Sequence, residues 1–476
     1  MNREIPIKKN EEYIIDISGM GHDGEGIGKV ENFTVFIPGA IEGETAKVKI
    51  LSVKKNYGYG KLMEIIKPSE KRVAPVCPSF GKCGGCSIQH LDYNYQLQIK
   101  RKRVQDALER IGKLEGVKVH NTIGMDNPYN YRNKVQLPVG EDKDGNIVIG
   151  FYAPRSHNII DIDKCFIQEE ISHKVVQLLK QWMNKYRIKP YNEEKHTGLV
   201  RHIMVRKGFK TGEVMVVIVT NGDKLPNKDE LIKSLVDNIG GIHSIIQNVN
   251  SKRTNVILDT KCKTLWGQDH ITDYIGKFKF NISPLSFFQV NPVQTEVLYG
   301  KVLEYADLKG DEVVFDAYCG TGTISLFLSQ KSNKVYGVEI INEAIENAIE
   351  NSKINNIQNA EFIVGKSEEE IPKLISKGII PDVVVVDPPR KGCEKILIES
   401  ICKSNPKRVV YVSCDPGTLA RDLAIFKELG YETEEVQPVD MFSQTSHVET
   451  CVLLYNKEYY EKEVKGKVKA EVVTEV

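Results

Sequence analysis

Four short runs in the C-terminal part of the chain, at 312–316, 335–339, 383–387 and 409–413, are almost wholly apolar and alternate with helical stretches. A strand that is apolar at nearly every position is buried on both faces, so the pattern from about residue 286 predicts a doubly wound parallel sheet flanked by helices. Ligands of such a sheet sit beyond the carboxyl ends of its strands. The chemistry of this chain is therefore expected at the residues that follow those four runs.

The loop after the first run, Asp316-Ala317-Tyr318-Cys319-Gly320-Thr321-Gly322-Thr323, opens a helix expected over 324–330. Gly320 and Gly322 let the backbone turn sharply and approach a ligand closely. The next run ends in Glu339, placed about 20 residues on, where a carboxylate accepts hydrogen bonds from a ribose diol. A third glycine in the spacing G-x-G-x-x-G is missing, which favours a nucleoside cofactor smaller than a dinucleotide.

The third run ends in Asp387-Pro388-Pro389-Arg390 and the fourth in Ser413-Cys414-Asp415-Pro416. A cysteine at the lip of a buried strand beside a cofactor loop is placed as a nucleophile. Uracil carbon 5 is too weak a nucleophile to take a methyl group unaided, whereas thiolate addition at carbon 6 makes the ring an enolate with charge at carbon 5. A base must then remove the carbon 5 proton so that the thiolate can leave. Glu449, at the start of the last strand, is the candidate base, and Asp387 suits a ring nitrogen or a cofactor amine.

With 476 residues the chain exceeds a single core. Short strands with glycine corners over residues 5–66 suggest a small OB-type barrel. A stretch from Lys67 reads as a linker into a mixed α+β central region, 67–285, with hairpins around Asp142–Asn146 and Lys210–Gly212 and helices near 169–187 and 228–239. The sheet domain spans 286–456, and the charged, aperiodic tail 457–476 is expected to be disordered. The net charge of +1 hides a basic excess in the first 120 residues, where Lys54, Lys55, Tyr57, Tyr59 and Lys61 mix phosphate-binding and base-stacking groups.

Cys77, Cys83 and Cys86 lie within ten residues around Gly84-Gly85, and Cys165 follows at a distance. Four thiolates suit zinc or an iron–sulfur cluster, and the spacing does not choose between them. The remaining cysteines read as packing residues, and His90 as a hydrogen-bonded residue rather than a further ligand. No apolar run approaches the ~20 residues that span a bilayer, and Met1–Pro6 lacks a secretory core, so a cytoplasmic protein is expected.

Taken together, Phe287-Phe288-Gln289-Val290-Asn291-Pro292, Asp316 to Gly322, Asp387 to Gly392, Val412 to Pro416 and His447-Val448-Glu449 resemble the RNA 5-methyluridine methyltransferases, and among them the 23S rRNA (uracil-5-)-methyltransferases. The resemblance implies an α/β class I methyltransferase, a Rossmann-like doubly wound sheet, preceded by a TRAM barrel of OB type. It implies Cys414 as nucleophile, Glu449 as proton acceptor, and Gln289, Tyr318, Glu339 and Asp387 as contacts to S-adenosylmethionine. It further implies a [4Fe–4S] cluster on Cys77, Cys83, Cys86 and Cys165, and RNA as partner with 23S rRNA first; a monomer is expected. The alternatives are a tRNA T-loop uridine methyltransferase and a non-catalytic RNA-binding assembly factor. Asp415 departs from the Asn that many members carry.

Overall fold

Alternating side chains drive the N-terminal region into strands. Ile15, Ile17, Val35, Ile37, Val48 and Ile50 all point inward and are buried. In the computed structural model, which describes residues 5–461, five strands close into a barrel in the order β1-β2-β3-β5-β4. They are β1 (Glu12–Met20), β2 (Gly26–Val30), β3 (Phe33–Ile37), β4 (Thr45–Val53) and β5 (Tyr57–Lys67). β2 was not anticipated, because its glycines read as corners. They are there because the strands cross closely: a Cβ on Gly28 would stand 2.3 Å from Ile15 Cγ2.

Helix α1 (Tyr93–Arg110) and the short β6 (Lys118–Val119) follow. The central region then builds a seven-stranded sheet, order β13-β12-β11-β10-β7-β8-β9. Its elements are β7 (Lys134–Glu141), β8 (Ile147–Tyr152), β9 (Ile159–Asp161), α2 (Ile171–Lys185), β10 (Val200–Lys207), β11 (Val214–Thr220), α3 (Lys228–Asn238), β12 (Ile242–Val249) and β13 (Cys262–Gly267). Both expected hairpins and both expected helices are present. Asp142 fixes the first turn by accepting from the backbone N–H groups of Asp144 (2.9 Å) and Asn146 (2.8 Å). A two-stranded unit, β14 (Ile271–Ile275) and β15 (Phe278–Ile282), leads on.

The C-terminal part alternates as the apolar runs require: α4 (Pro292–Ala306), β16 (Val313–Ala317), α5 (Thr323–Ser329), β17 (Lys334–Glu339), α6 (Asn342–Ile354), β18 (Ala360–Val364), α7 (Ser367–Ser376), β19 (Val383–Val386), α8 (Lys395–Ser404), β20 (Arg408–Ser413) and α9 (Pro416–Glu428). Two antiparallel strands, β21 (Tyr431–Val439) and β22 (Glu449–Asn456), and a last turn α10 (Lys457–Tyr459) complete it. The sheet order is β18-β17-β16-β19-β20-β22-β21-β6. This is the expected doubly wound sheet, extended by one strand, β6, from the region expected to be the central domain. Val104, Leu108 and Val119 share a core with Val384, Tyr411 and Leu419, so α1 and β6 pack into this layer. Most of the tail expected to be disordered lies outside the described residues.

The segment after β5 does more than link. Arg72 donates to Glu44 Oε1 (2.6 Å) and to the Gly39 carbonyl (2.6 Å), tying the strap to the barrel. Farther on, Lys100 of α1 and Asp440, just past β21, form a buried ion pair, with side chains 1% and 0% exposed. Burial drives the Lys100 ammonium below its ordinary range and Asp440 opposes that fall. Asp440 also accepts from Tyr93 (2.7 Å) and Ser443 (2.7 Å). Removing one partner strands the other charge without water, so Lys100→Ala should cost about 3–5 kcal/mol of stability. Chemical denaturation of the full chain checks this; a loss under about 1 kcal/mol would show the pair to be dispensable.

Candidate active site

The sheet order brings the expected residues to one edge. Asp316 lies on β16 near its carboxyl end, Asp387 follows β19, Cys414 follows β20, and Glu449 begins the antiparallel β22 beside β20. Thr450, opposite Ser413, donates to its carbonyl (3.1 Å) and fixes the register of the two strands.

At the cofactor loop, Tyr318, Gly320 and Gly322 all have positive φ, at 69°, 54° and 80°. A Cβ on Gly322 would meet Ala348 at 3.0 Å, so this glycine permits close packing of the loop on α6. Over Gly320 there is open space, as a ligand-facing backbone requires. Glu339 is held across the loop, accepting from the N–H groups of Gly320 (3.3 Å) and Ile341 (3.0 Å). Asp316 accepts from Ser325 (2.5 Å) through one oxygen, while its other oxygen is buried without a partner. Burial pushes the Asp316 carboxyl up to about 7, with Asp387 and Glu339 adding to the rise.

Gln289 lies on the loop before α4, half-buried, with Phe288 packed inward and Phe287 65% exposed. Three contacts hold this loop that the sequence did not announce. Asn133 donates to the Gln289 carbonyl (3.0 Å), and buried Arg206 donates to the carbonyls of Ser283 (3.2 Å) and Ser286 (3.0 Å).

Around the thiol the field is acidic. Burial pushes Cys414 up to about 11, Glu449 and Asp387 contribute, and Arg390 opposes them. Burial alone raises Asp387 to about 7. Glu449 is buried, and burial followed by Asp387 carries its carboxyl well above the ordinary range. Asp415 is the N-cap of α9, accepting from Gly417 (2.9 Å) and Thr418 (3.0 Å), with Pro416 at the first helical position. Asn and Asp cap equally well, so the departure at 415 keeps the local structure. The loop carrying Arg390 is anchored on α9: Thr418 donates to the Arg390 carbonyl (3.1 Å), and Asp422 accepts from the Cys393 N–H (2.8 Å).

Cys77, Cys83, Cys86 and Cys165 line one pocket together with Phe80 and Arg132. The Gly85 N–H donates to Cys83 Sγ (3.3 Å), and Gln89 accepts from the Cys77 N–H (2.8 Å). Burial, then the neighbouring thiols, pushes Cys86 up to about 12. Among the described residues no three His, Cys, Asp or Glu side chains converge on one metal-ion position. Among the described residues no cysteine forms a disulfide. His90 differs from expectation: both ring nitrogens are buried without a hydrogen-bond partner, the ring stacks on Phe80 at 5.2 Å, and burial lowers it to about 4.

On the barrel, Tyr57 and Tyr59 form a cluster with Phe36 at ring separations of 5.6–5.8 Å, and Arg155 of the central region lies over Tyr59. Among the described residues no helix is long and apolar enough to cross a membrane.

Comparison with known proteins agrees with this architecture. Residues 92–457 match the family described as tRNA (Uracil-5-)-methyltransferase, and residues 6–63 match the TRAM domain. An uncharacterized RNA methyltransferase of Clostridium tetani is 61% identical over 454 residues, covering 95% of this chain and 98% of the relative. Another from Halalkalibacterium halodurans is 50% identical over 452 residues, covering 95% and 98%. The crystal structure of Pyrococcus abyssi tRNA (uracil-54, C5)-methyltransferase in complex with S-adenosyl-L-homocysteine superposes with a TM-score of 0.75 at 31% identity. That match covers 93% of this chain and 99% of the other.

The raised thiol has a direct consequence for reactivity. A thiol at about 11 is protonated at neutral pH and thiolate only above it. Alkylation of Cys414 in the ligand-free protein, followed by peptide mass mapping, should accelerate through pH 10 without a plateau. A rate already flat by pH 8 would mean that the resting thiol is ionised.

Proposed function

We propose a substrate and a mechanism for this chain, which belongs to the tRNA (uracil-5-)-methyltransferase family: S-adenosylmethionine-dependent methylation of uridine carbon 5 in RNA, with 23S rRNA as the substrate class. The observation that carries the reading is the meeting of Cys414, Glu449 and Asp387 at one sheet edge beside the glycine loop. S-adenosylmethionine supplies an electrophilic methyl group on a cationic sulfur. The residues fit such a molecule: open space over Gly320, a carboxylate at Glu339 for the ribose, and the buried acids Asp316 and Asp387 for positive charge. By the resemblance, Tyr318 of that loop and Gln289 before α4 would contact the same molecule.

In the ligand-free protein the Cys414 thiol is pushed up to about 11, and burial favours the neutral form of Glu449. A cation at this edge favours the ionised carboxylates and the thiolate together. Cys414 then adds to carbon 6 of the uracil, placing enolate charge at carbon 5. Once the methyl group is on carbon 5, Glu449 removes the proton there, and the electron pair expels Cys414. Arg390, which lowers the thiol, assists the first step. The approach needs both faces of the ring, so the uridine is taken out of its stack at a cost of a few kcal/mol.

The four-cysteine pocket supports the rRNA assignment, because the resemblance that implies 23S rRNA also implies a [4Fe–4S] cluster on Cys77, Cys83, Cys86 and Cys165. Four thiols lining one pocket, Cys165 buried and the other three partly buried, with an N–H donor to the Cys83 sulfur, are the features that support such a group. The tRNA reading has its own support in the likeness to the Pyrococcus abyssi tRNA enzyme.

Glu449→Gln should transfer the methyl group but stall elimination, so a covalent RNA–protein adduct should persist in a denaturing gel, whereas Cys414→Ala should form none and turn nothing over. Wild-type-like turnover by either variant would overturn the mechanism. Mapping of 5-methyluridine in 23S rRNA and tRNA, with and without the protein, decides the substrate: loss confined to tRNA would replace the rRNA assignment. Anaerobically purified protein should contain iron and sulfide, and Cys83→Ser should lose both; one zinc and no iron would overturn the cluster.

A further inference from the structure

The segment that leads into Glu449 is gripped from outside the catalytic sheet. Ser446, three residues before Glu449, donates its N–H to Ser87 Oγ (3.0 Å) and gives its carbonyl to Arg103 Nη1 (2.6 Å). Gln444 is held in the same way, its carbonyl accepting from the N–H groups of Ser87 (3.1 Å) and Ile88 (3.2 Å). Both grips reach the N-terminal barrel. Arg103 donates through its other terminal nitrogen to His22 Nε2 on the loop between β1 and β2. With that nitrogen accepting, His22 Nδ1 carries the hydrogen and donates to Asp23 (3.1 Å). Gly24 of the same loop is pressed on Ile88, where a Cβ would stand 2.5 Å from its methyl group.

We propose that the barrel is part of the methyl-transfer machinery: its His22, acting through Arg103 of α1, is a positioning residue that holds the Ser446–Glu449 segment where Glu449 can reach the carbon 5 proton. The inference rests on the reading of Glu449 as the base. Arg103 is half-buried, and its surroundings balance it for this task. Asp415, Asp23 and Glu25 face the guanidinium as acids, and Arg390 faces it as a cation. Each of those acids is itself engaged by N–H groups: Asp415 as the cap of α9, Asp23 by His22, and Glu25 by the Asp23 backbone (2.9 Å). Arg103 is therefore oriented on both sides, with one nitrogen on the barrel and one on the segment before the base.

A role in affinity alone and a role in placing the base give different kinetics. If His22 and Arg103 only helped to bind RNA, their loss would raise KM and leave the elimination step intact. If they place Glu449, their loss slows the step that Glu449 performs. In the full-length protein, with an RNA that the wild type methylates, Arg103→Gln should lower kcat about tenfold, less than the ~100-fold that a misplacement of about 1 Å can cost. KM for RNA should change less than about twofold, because KM alone moves only when uniform binding is lost. Covalent adduct should accumulate as it does with Glu449→Gln. His22→Ala, on an exposed loop, should show the same signature more weakly, and Arg103→Lys should recover part of kcat. Unchanged binding of S-adenosyl-L-homocysteine controls for folding. A rise in KM with unchanged kcat and no adduct in His22→Ala and Arg103→Lys would overturn the proposal. Absence of adduct from Glu449→Gln would instead overturn the assignment of the base.

Discussion

The buried pair of Lys100 and Asp440 holds the active-site edge in place. Each charge loses several kcal/mol of hydration when buried, and attraction offsets that only where the remaining hydrogen-bonding capacity is also met. Most of it is met here: Lys100 also donates to the Phe442 carbonyl (3.1 Å), and the Asp440 oxygens take Tyr93 and Ser443 as well. The benefit is one of register. A pair 340 residues apart in sequence fixes where β21 ends and therefore the path of residues 441–448. Gln96 then reaches Gln444 (3.0 Å) and Arg103 reaches Ser446, both from the same helix.

That path delivers Glu449 into a site short of positive charge. Asp316, Asp387 and Glu449 are raised by their own burial, and Arg390 is the cation that opposes the rise at Glu449. A protein that buries acids in this way spends stability on a ligand it expects. The arrangement also favours the protonated form of Cys414, and a protonated thiol is a poor target for oxidants and electrophiles. The thiol sits at the start of α9, whose dipole favours an anion. Burial and the two acids outweigh that dipole.

What the sequence made legible was local. The apolar runs announced β16, β17, β19 and β20 within a residue or two, because a strand buried on both faces has no other way to be written. Gly320 and Gly322 were legible because they serve a turn in their own loop, whereas the cap that Asp415 makes on α9 was not read from the sequence. What stayed hidden depends on distant partners. β2 was unreadable because its glycines answer to Ile15 and Asp16 across the barrel rather than to a turn. β6 is two residues long and exists only because β21 offers an edge. Lys100 and Arg103 belong to the basic excess of the first 120 residues, yet one is buried against Asp440 and the other donates to the Ser446 carbonyl. His90 looked ordinary and is a neutral ring without a hydrogen bond, packed on Phe80 beside the cysteine pocket.

The barrel's attachment alters what it can contribute. A tethered module meets its neighbour through a small polar contact. This barrel instead buries Ile41 against Ile88, Leu91 and Tyr95, pairs Glu44 with Arg72, and accepts the Tyr95 hydroxyl on Glu42 (2.7 Å). The aromatic cluster of Phe36, Tyr57 and Tyr59 is thereby set at a fixed offset from Cys414, and Arg155 of the central region completes it from the far side. An RNA strand that stacks on that cluster meets the catalytic edge without the entropic cost of first bringing two loose domains together. The proposed bracing of the base and the placement of the aromatic cluster would come from one interface, because α1 is both the seat of the barrel and the partner of Asp440.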